Sequence, residues 1–137
     1  PKQEKAVVDS VYRHLYTPCG LRTLSPADPQ FHPTYGGVQM KRDLAYHQGT
    51  VWPFPLGAYY LAYLKVHGYS DAAKKTVYQQ LDALESPLRE GCVGQIPEIY
   101  DGLIPGESQG CFAQAWSVGE LLRVYEALEK GNVYEIG

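Results

Sequence analysis

The hydrophobic and polar positions fall into four helix-length stretches, separated by one short turn and two long irregular segments. From 2 to 16, Val8, Val11, Tyr12 and Leu15 recur at i, i+3, i+4 and i+7, one face of a helix that Pro18 ends. A second helix is predicted over 53–67, with its prolines confined to the first turn. Leu56, Tyr59, Tyr60, Tyr63 and Leu64 form its main stripe, and Leu61 and Ala62 make the opposite side apolar too, the pattern of a buried inner helix. The third, over 70–88, has Ser70 as its cap and Asp71 in the first turn. Its single apolar stripe of Ala73, Val77, Leu81, Leu84 and Leu88 lies opposite Lys74, Lys75, Gln79 and Asp82, which makes it an outer helix. The fourth, over 113–130, turns Val118, Leu121, Leu122, Tyr125 and Leu128 inward and stops at Gly131.

Residues 17–45 are rich in proline and glycine and show no sustained period. They predict a long ordered loop with one turn of helix around Lys41–Leu44, anchored by Leu21, Leu24, Phe31 and Tyr35. The second long loop, Gly91 to Ser117, carries three carboxylates, Glu98, Asp101 and Glu107. Pro97 fixes its own φ and biases Ile96 towards an extended conformation, so Glu98 is delivered from stiff backbone. Asp101-Gly102 reads as turn chemistry. The fold class predicted is all-α, with four main helices, long ordered loops and little sheet.

Composition narrows the function. A net charge of −3 over 137 residues leaves no basic stripe for a nucleic acid. Cys19, Cys92 and Cys111 are odd in number and form no close metal-binding pair, which points to reduced thiols in a cytoplasmic protein with no metal site. No apolar run approaches the roughly 20 residues of a membrane helix, and no signal-peptide core follows the first residues. Twelve tyrosines supply flat faces with polar tips, suited to packing helices and to stacking on sugars.

Three blocks then carry a resemblance. Gln95-Ile96-Pro97-Glu98-Ile99-Tyr100-Asp101-Gly102, with Gly110-Cys111-Phe112-Ala113-Gln114-Ala115-Trp116-Ser117 behind it, resembles the C-terminal signature of glycogen debranching enzymes in their amylo-α-1,6-glucosidase part. Tyr46-His47-Gln48-Gly49-Thr50-Val51-Trp52-Pro53 and the segment Leu15 to Ser25 match further blocks in the same order. The resemblance implies a glucoamylase-like (α/α)6-barrel of twelve helices. At about 12 residues each these need roughly 144 residues for helices alone, so 1–137 is expected to be the C-terminal third of a catalytic domain.

Inverting hydrolysis needs an acid on the leaving oxygen and a base on water, about 6.5–9.5 Å apart. The resemblance implies Glu98 as the general base and an Asp far upstream as the acid, so this chain holds half of the pair. Asp101 and Glu107 are the alternatives within the chain. The resemblance also places His47, Gln48 and Trp52 around the terminal glucose. Tyr46, Gln114 and Tyr100 join them as candidate sugar ligands, with Arg22 behind; Trp116 reads as a packing anchor. No cofactor is required, since carboxylates supply the acid and base chemistry. The substrate implied is an α-glucan or oligosaccharide, hydrolysed at α-1,6 branch points by the complete barrel. The rival readings are another exo-acting α-glucosidase of the glucoamylase or trehalase type, and a sugar-binding or interaction module without turnover. Because the second helix is apolar all round, the chain is expected to dimerise through a face bearing Tyr59, Tyr63 or Leu61, or to bind the rest of its barrel.

Overall fold

The computed structural model describes residues 2–85, 94–103 and 106–131. The described residues form five α-helices: α1 Lys2–His14, α2 Gln39–Gln48, α3 Pro55–Val66, α4 Asp71–Asp82 and α5 Ala115–Lys130. A 3-10 turn, Ala83–Glu85, follows α4. Interleaved with the helices are five short strands, β1 Tyr16–Thr17, β2 Gly20–Arg22, β3 Val51–Trp52, β4 Ile99–Tyr100 and β5 Ser108–Gln109. They make one antiparallel sheet in chain order, with Leu21 opposite Trp52, Val51 opposite Tyr100, and Ile99 opposite Gln109. The protein is therefore mostly helical but not all-α. Strands of two or three residues are too short for an alternating pattern to register, yet this sheet is what stitches the three sequence blocks together.

Helix α3 is the centre of the core. Leu56, Tyr60 and Leu64 are fully buried along it, packed with Val8 of α1, Ala73, Val77 and Leu81 of α4, and Leu121, Val124 and Leu128 of α5. Pro55 occupies its first turn, where a missing N–H costs nothing. Its most extensive contact is with α5, and Gly57 permits it: a Cβ there would lie 2.6 Å from Glu120 Cβ. Close approach also decides which side of α5 turns inward. Leu121 and Leu128 are buried as the apolar pattern predicts and Val118 packs against the core, but Leu122 and Tyr125 are 62% and 42% exposed, and Ser117, Val124 and Ala127 are buried in their place. Small Ser117 and Ala127 let two backbones come together where Leu and Tyr would hold them apart.

The outer helix α4 has the predicted stripe, and Ser70 caps it by accepting from the Ala73 N–H. The helix gives way to the 3-10 turn at Ala83, and residues 86–88 of the predicted span, Leu88 among them, lie outside the described residues, as does Cys92. Helix α2 is a correction in the other direction, ten residues where one turn is predicted. Only Ala45 on it is buried, so it has no apolar stripe to announce it. Tyr59, offered above as part of an association face, is 6% exposed because α1 lies over it; the Tyr16 ring sits 5.5 Å away, and Tyr16 and Tyr60 share a hydroxyl hydrogen bond of 3.1 Å. Among the described residues no helix is long and apolar enough to cross a membrane.

Candidate active site

Glu98 stands at the bend that leads into β4, between two buried isoleucines, Ile96 and Ile99. Backbone bonds clamp this bend to the start of α5. The Glu98 N–H donates to the Cys111 carbonyl at 2.8 Å, and the Gln114 N–H donates to that of Ile96 at 2.8 Å. The carboxylate is gripped at both oxygens. Oε1 accepts from the Tyr46 hydroxyl, and Oε2 accepts from the Cys111 N–H at 2.9 Å. Gly110 makes room for this grip, since its φ of +70° suits glycine and a Cβ would lie 2.6 Å from Glu98 Oε2.

Tyr46 is carried on the last turns of α2, and the chain wraps directly from there into β3. Gly49 is needed at the wrap because any Cβ would collide with the His32 carbonyl. Thr50, fully buried, donates to the Tyr46 carbonyl at 3.0 Å and accepts from Trp52 Nε1 at 3.1 Å. The Trp52 ring meets Tyr46 edge-on, with centroids 4.6 Å apart. Burial first, and then the Glu98 carboxylate that takes its hydrogen bond, push the Tyr46 phenol up to about 12. Tyr46 is thus a neutral donor at any physiological pH, because a raised phenol loses its proton only as the pH climbs through the raised value.

On the cleft side, Tyr46, His47 and Trp52 line an open cavity of about 510 Å³ together with Arg22, Thr23, Phe54 and Trp116. Phe54 and Trp116 stack with centroids 4.4 Å apart and an interplanar angle of 22°, and Trp116 meets Trp52 at 6.2 Å. The result is an aromatic wall beside polar groups, the general make-up of a small-molecule pocket. Trp116, read from the sequence as a packing anchor, is 49% exposed and forms part of this wall. Phe54 is absent from the sequence-based candidates. Its place in Trp52-Pro53-Phe54-Pro55, a stiff aromatic run just ahead of a helix, is the signal that marks it.

The remaining candidates divide. Gln48 does not line the aromatic cleft but a hollow of about 580 Å³ with Met40, Asp43, Leu44 and His47, the last of which lines both. Gln114 is the N-cap residue of α5, without a side-chain cap bond, and does not line the cleft. Tyr100 is 2% exposed in β4 and does not line the aromatic cleft. Arg22 reaches across the sheet, its Nε donating to the Gly102 carbonyl at 2.8 Å. Of the other carboxylates, Asp101 accepts from the Tyr35 N–H at 2.9 Å, a loop tie in keeping with its turn chemistry, and Glu107 is exposed. Glu98 is the carboxylate that touches a cleft-lining side chain, Tyr46.

The model of the amylo-alpha-1,6-glucosidase family matches residues 1–123, a span that includes both the gripped carboxylate and the aromatic wall. The chain belongs to the amylo-alpha-1,6-glucosidase family. No curated protein matches it significantly. All three blocks of this family member lie within the matched span, and its sheet brings them together: β2 from the first, β3 from the second and β4 from the third are consecutive strands. Among the described residues no group of three His, Cys, Asp or Glu could hold a metal ion.

Proposed function

We propose that this chain supplies the general-base half of an inverting α-1,6-glucosidase site, with Glu98 as the base, in a glucoamylase-like α/α-barrel whose general acid comes from outside these residues. The observation that carries the reading is the Glu98 carboxylate, fixed at both oxygens and set behind the Tyr46 ring at the edge of an aromatic cleft. In the proposed reaction Glu98 takes a proton from water as the water oxygen attacks the anomeric carbon. The bond from that carbon to the leaving oxygen breaks, and the acid protonates that oxygen. Trp116, Phe54 and Trp52 offer apolar faces to the sugar ring, while His47 and Arg22, which line the same cleft, offer donors to hydroxyls.

An exposed apolar face supports a docking place for the rest of such a barrel. Helix α2 exposes Met40 and Leu44, with Val38 just ahead of it, next to a hollow of about 700 Å³ that also holds Pro33 and Gly37. Covering this face, rather than the α3 face around Tyr59, is the proposed role of the remaining helices.

The test is glucose release from a branched limit dextrin, measured for this chain alone and for the chain assembled with the acid-bearing part. A base without its acid lacks a contribution of typically 10² to 10⁴ in rate. The chain alone is therefore expected to release glucose at least about a hundredfold more slowly than the assembly. Efficient release by the chain alone would place both carboxylates within it and overturn the division of labour.

A further inference from the structure

We propose that Tyr46 is the positioning residue of the base: its hydroxyl holds the Glu98 carboxylate in the orientation that activates water, and it binds no sugar. The inference rests on the general-base reading of Glu98, and four observations carry it.

First, the Tyr46 hydroxyl is already committed, donating to Glu98 Oε1 across 52 residues of sequence. A phenol has one proton to donate, so a sugar hydroxyl could have it only by displacing the base. Second, the carboxylate has one donor on each oxygen, Tyr46 on Oε1 and the Cys111 N–H on Oε2. A single donor leaves a carboxylate free to turn about its last bond; two donors on different oxygens fix its plane. An ionised carboxylate offers about four acceptor sites, so this grip leaves sites open for a water molecule.

Third, Tyr46 is itself held from the sugar side. Its carbonyl accepts from Trp52 Nε1 at 3.2 Å and from the Thr50 hydroxyl at 3.0 Å, and its ring packs edge-on against Trp52. The aromatic wall and the base are thereby set in one register through one residue, which is the arrangement needed to hold an anomeric carbon and a water in line. Fourth, the other arm of the grip is equally intolerant of change. Gly110, left-handed and without a side chain, leaves the space in which Glu98 Oε2 reaches the Cys111 N–H, and a Cβ there, 2.6 Å from Oε2, would push the carboxylate off that donor.

The test has two arms. In the chain as it stands, proton NMR should show a downfield, slowly exchanging hydroxyl resonance that disappears in Tyr46→Phe and moves upfield in Glu98→Gln, where the amide oxygen stays on the Cys111 N–H and the hydroxyl, now facing the NH2 group, loses its charged acceptor. An unchanged resonance in both variants would mean that the hydroxyl is not on the carboxylate, and the inference would fail while the base assignment stood. Tyr46→Phe keeps the ring and its packing on Trp52, and circular dichroism checks that its fold is kept.

In the assembled enzyme, Tyr46→Phe should lower kcat about ten- to hundredfold, the size of a hydrogen bond to a charged group, with KM within about twofold. A sugar ligand would behave in the opposite way, with KM raised and kcat kept; that result would overturn the inference. Turnover by Glu98→Gln at the parent rate would remove the base assignment and this inference with it. Turnover lost in Glu98→Gln but intact in Tyr46→Phe would remove Tyr46 alone.

Discussion

Glu98→Gln is expected to slow hydrolysis of an α-1,6 branch by the assembled enzyme about 10²- to 10⁴-fold, with little change in KM. The amide matches the carboxylate in size and keeps an acceptor for the Cys111 N–H, and the Tyr46 hydroxyl can turn to accept from its NH2 group. The local fold should therefore survive, and what is lost is the ability to take a proton. Asp101→Asn is the matched control. Its side-chain oxygen can still accept from the Tyr35 N–H, so its rate should stay within a few-fold of the parent. Steady-state kinetics on a branched limit dextrin compare the two. Equal losses in both variants would mean that the loop as a whole, rather than Glu98, is what the rate reports.

Leu64→Ala is expected to destabilise the protein by about 2–5 kcal/mol, a large part of the 5–15 kcal/mol typical of a domain. Leu64 is fully buried at the centre of the core, where α1, α4 and α5 converge on α3. Truncation leaves a cavity that four packed helices cannot close. Leu122→Ala, at a position the apolar pattern assigns to the interior and the fold leaves 62% exposed, should change stability by no more than about 0.5 kcal/mol. Urea denaturation measures both as shifts in midpoint at constant slope. A large loss at Leu122 would mean that the other face of α5 is in the core, and a small one at Leu64 that α3 is not its centre.

The contrast between these two leucines shows what the sequence makes legible. Helices α3 and α4 are readable because the first is apolar all round and the second has one clean stripe with Ser70 as its cap. The rotation of α5 is not, because it is decided by Gly57 on another helix and by how little space Ser117 and Ala127 occupy. Helix α2 escapes for want of any buried stripe, and the sheet escapes because its strands are two or three residues long.

The site divides along the same line. Glu98 is legible from Pro97 and from the family signature, both local in sequence. Tyr46 is visible as a candidate, but its role is not, since the hydroxyl finds its acceptor only after three distant segments have joined one sheet. The burial of Tyr100 is hidden for the same reason: in a two-residue strand nothing local tells which face its ring will take, and it takes the buried one.

The measurement that tests Glu98 as a base most directly is the anomer of the first glucose released, followed by proton NMR during the opening minutes of limit-dextrin hydrolysis by the assembled enzyme. Water activated by Glu98 attacks from the face opposite the leaving oxygen, so β-glucose should appear first and α-glucose only as the product mutarotates. Release of α-glucose first would contradict the account, because retention requires the carboxylate to attack carbon itself as a nucleophile rather than to take a proton from water.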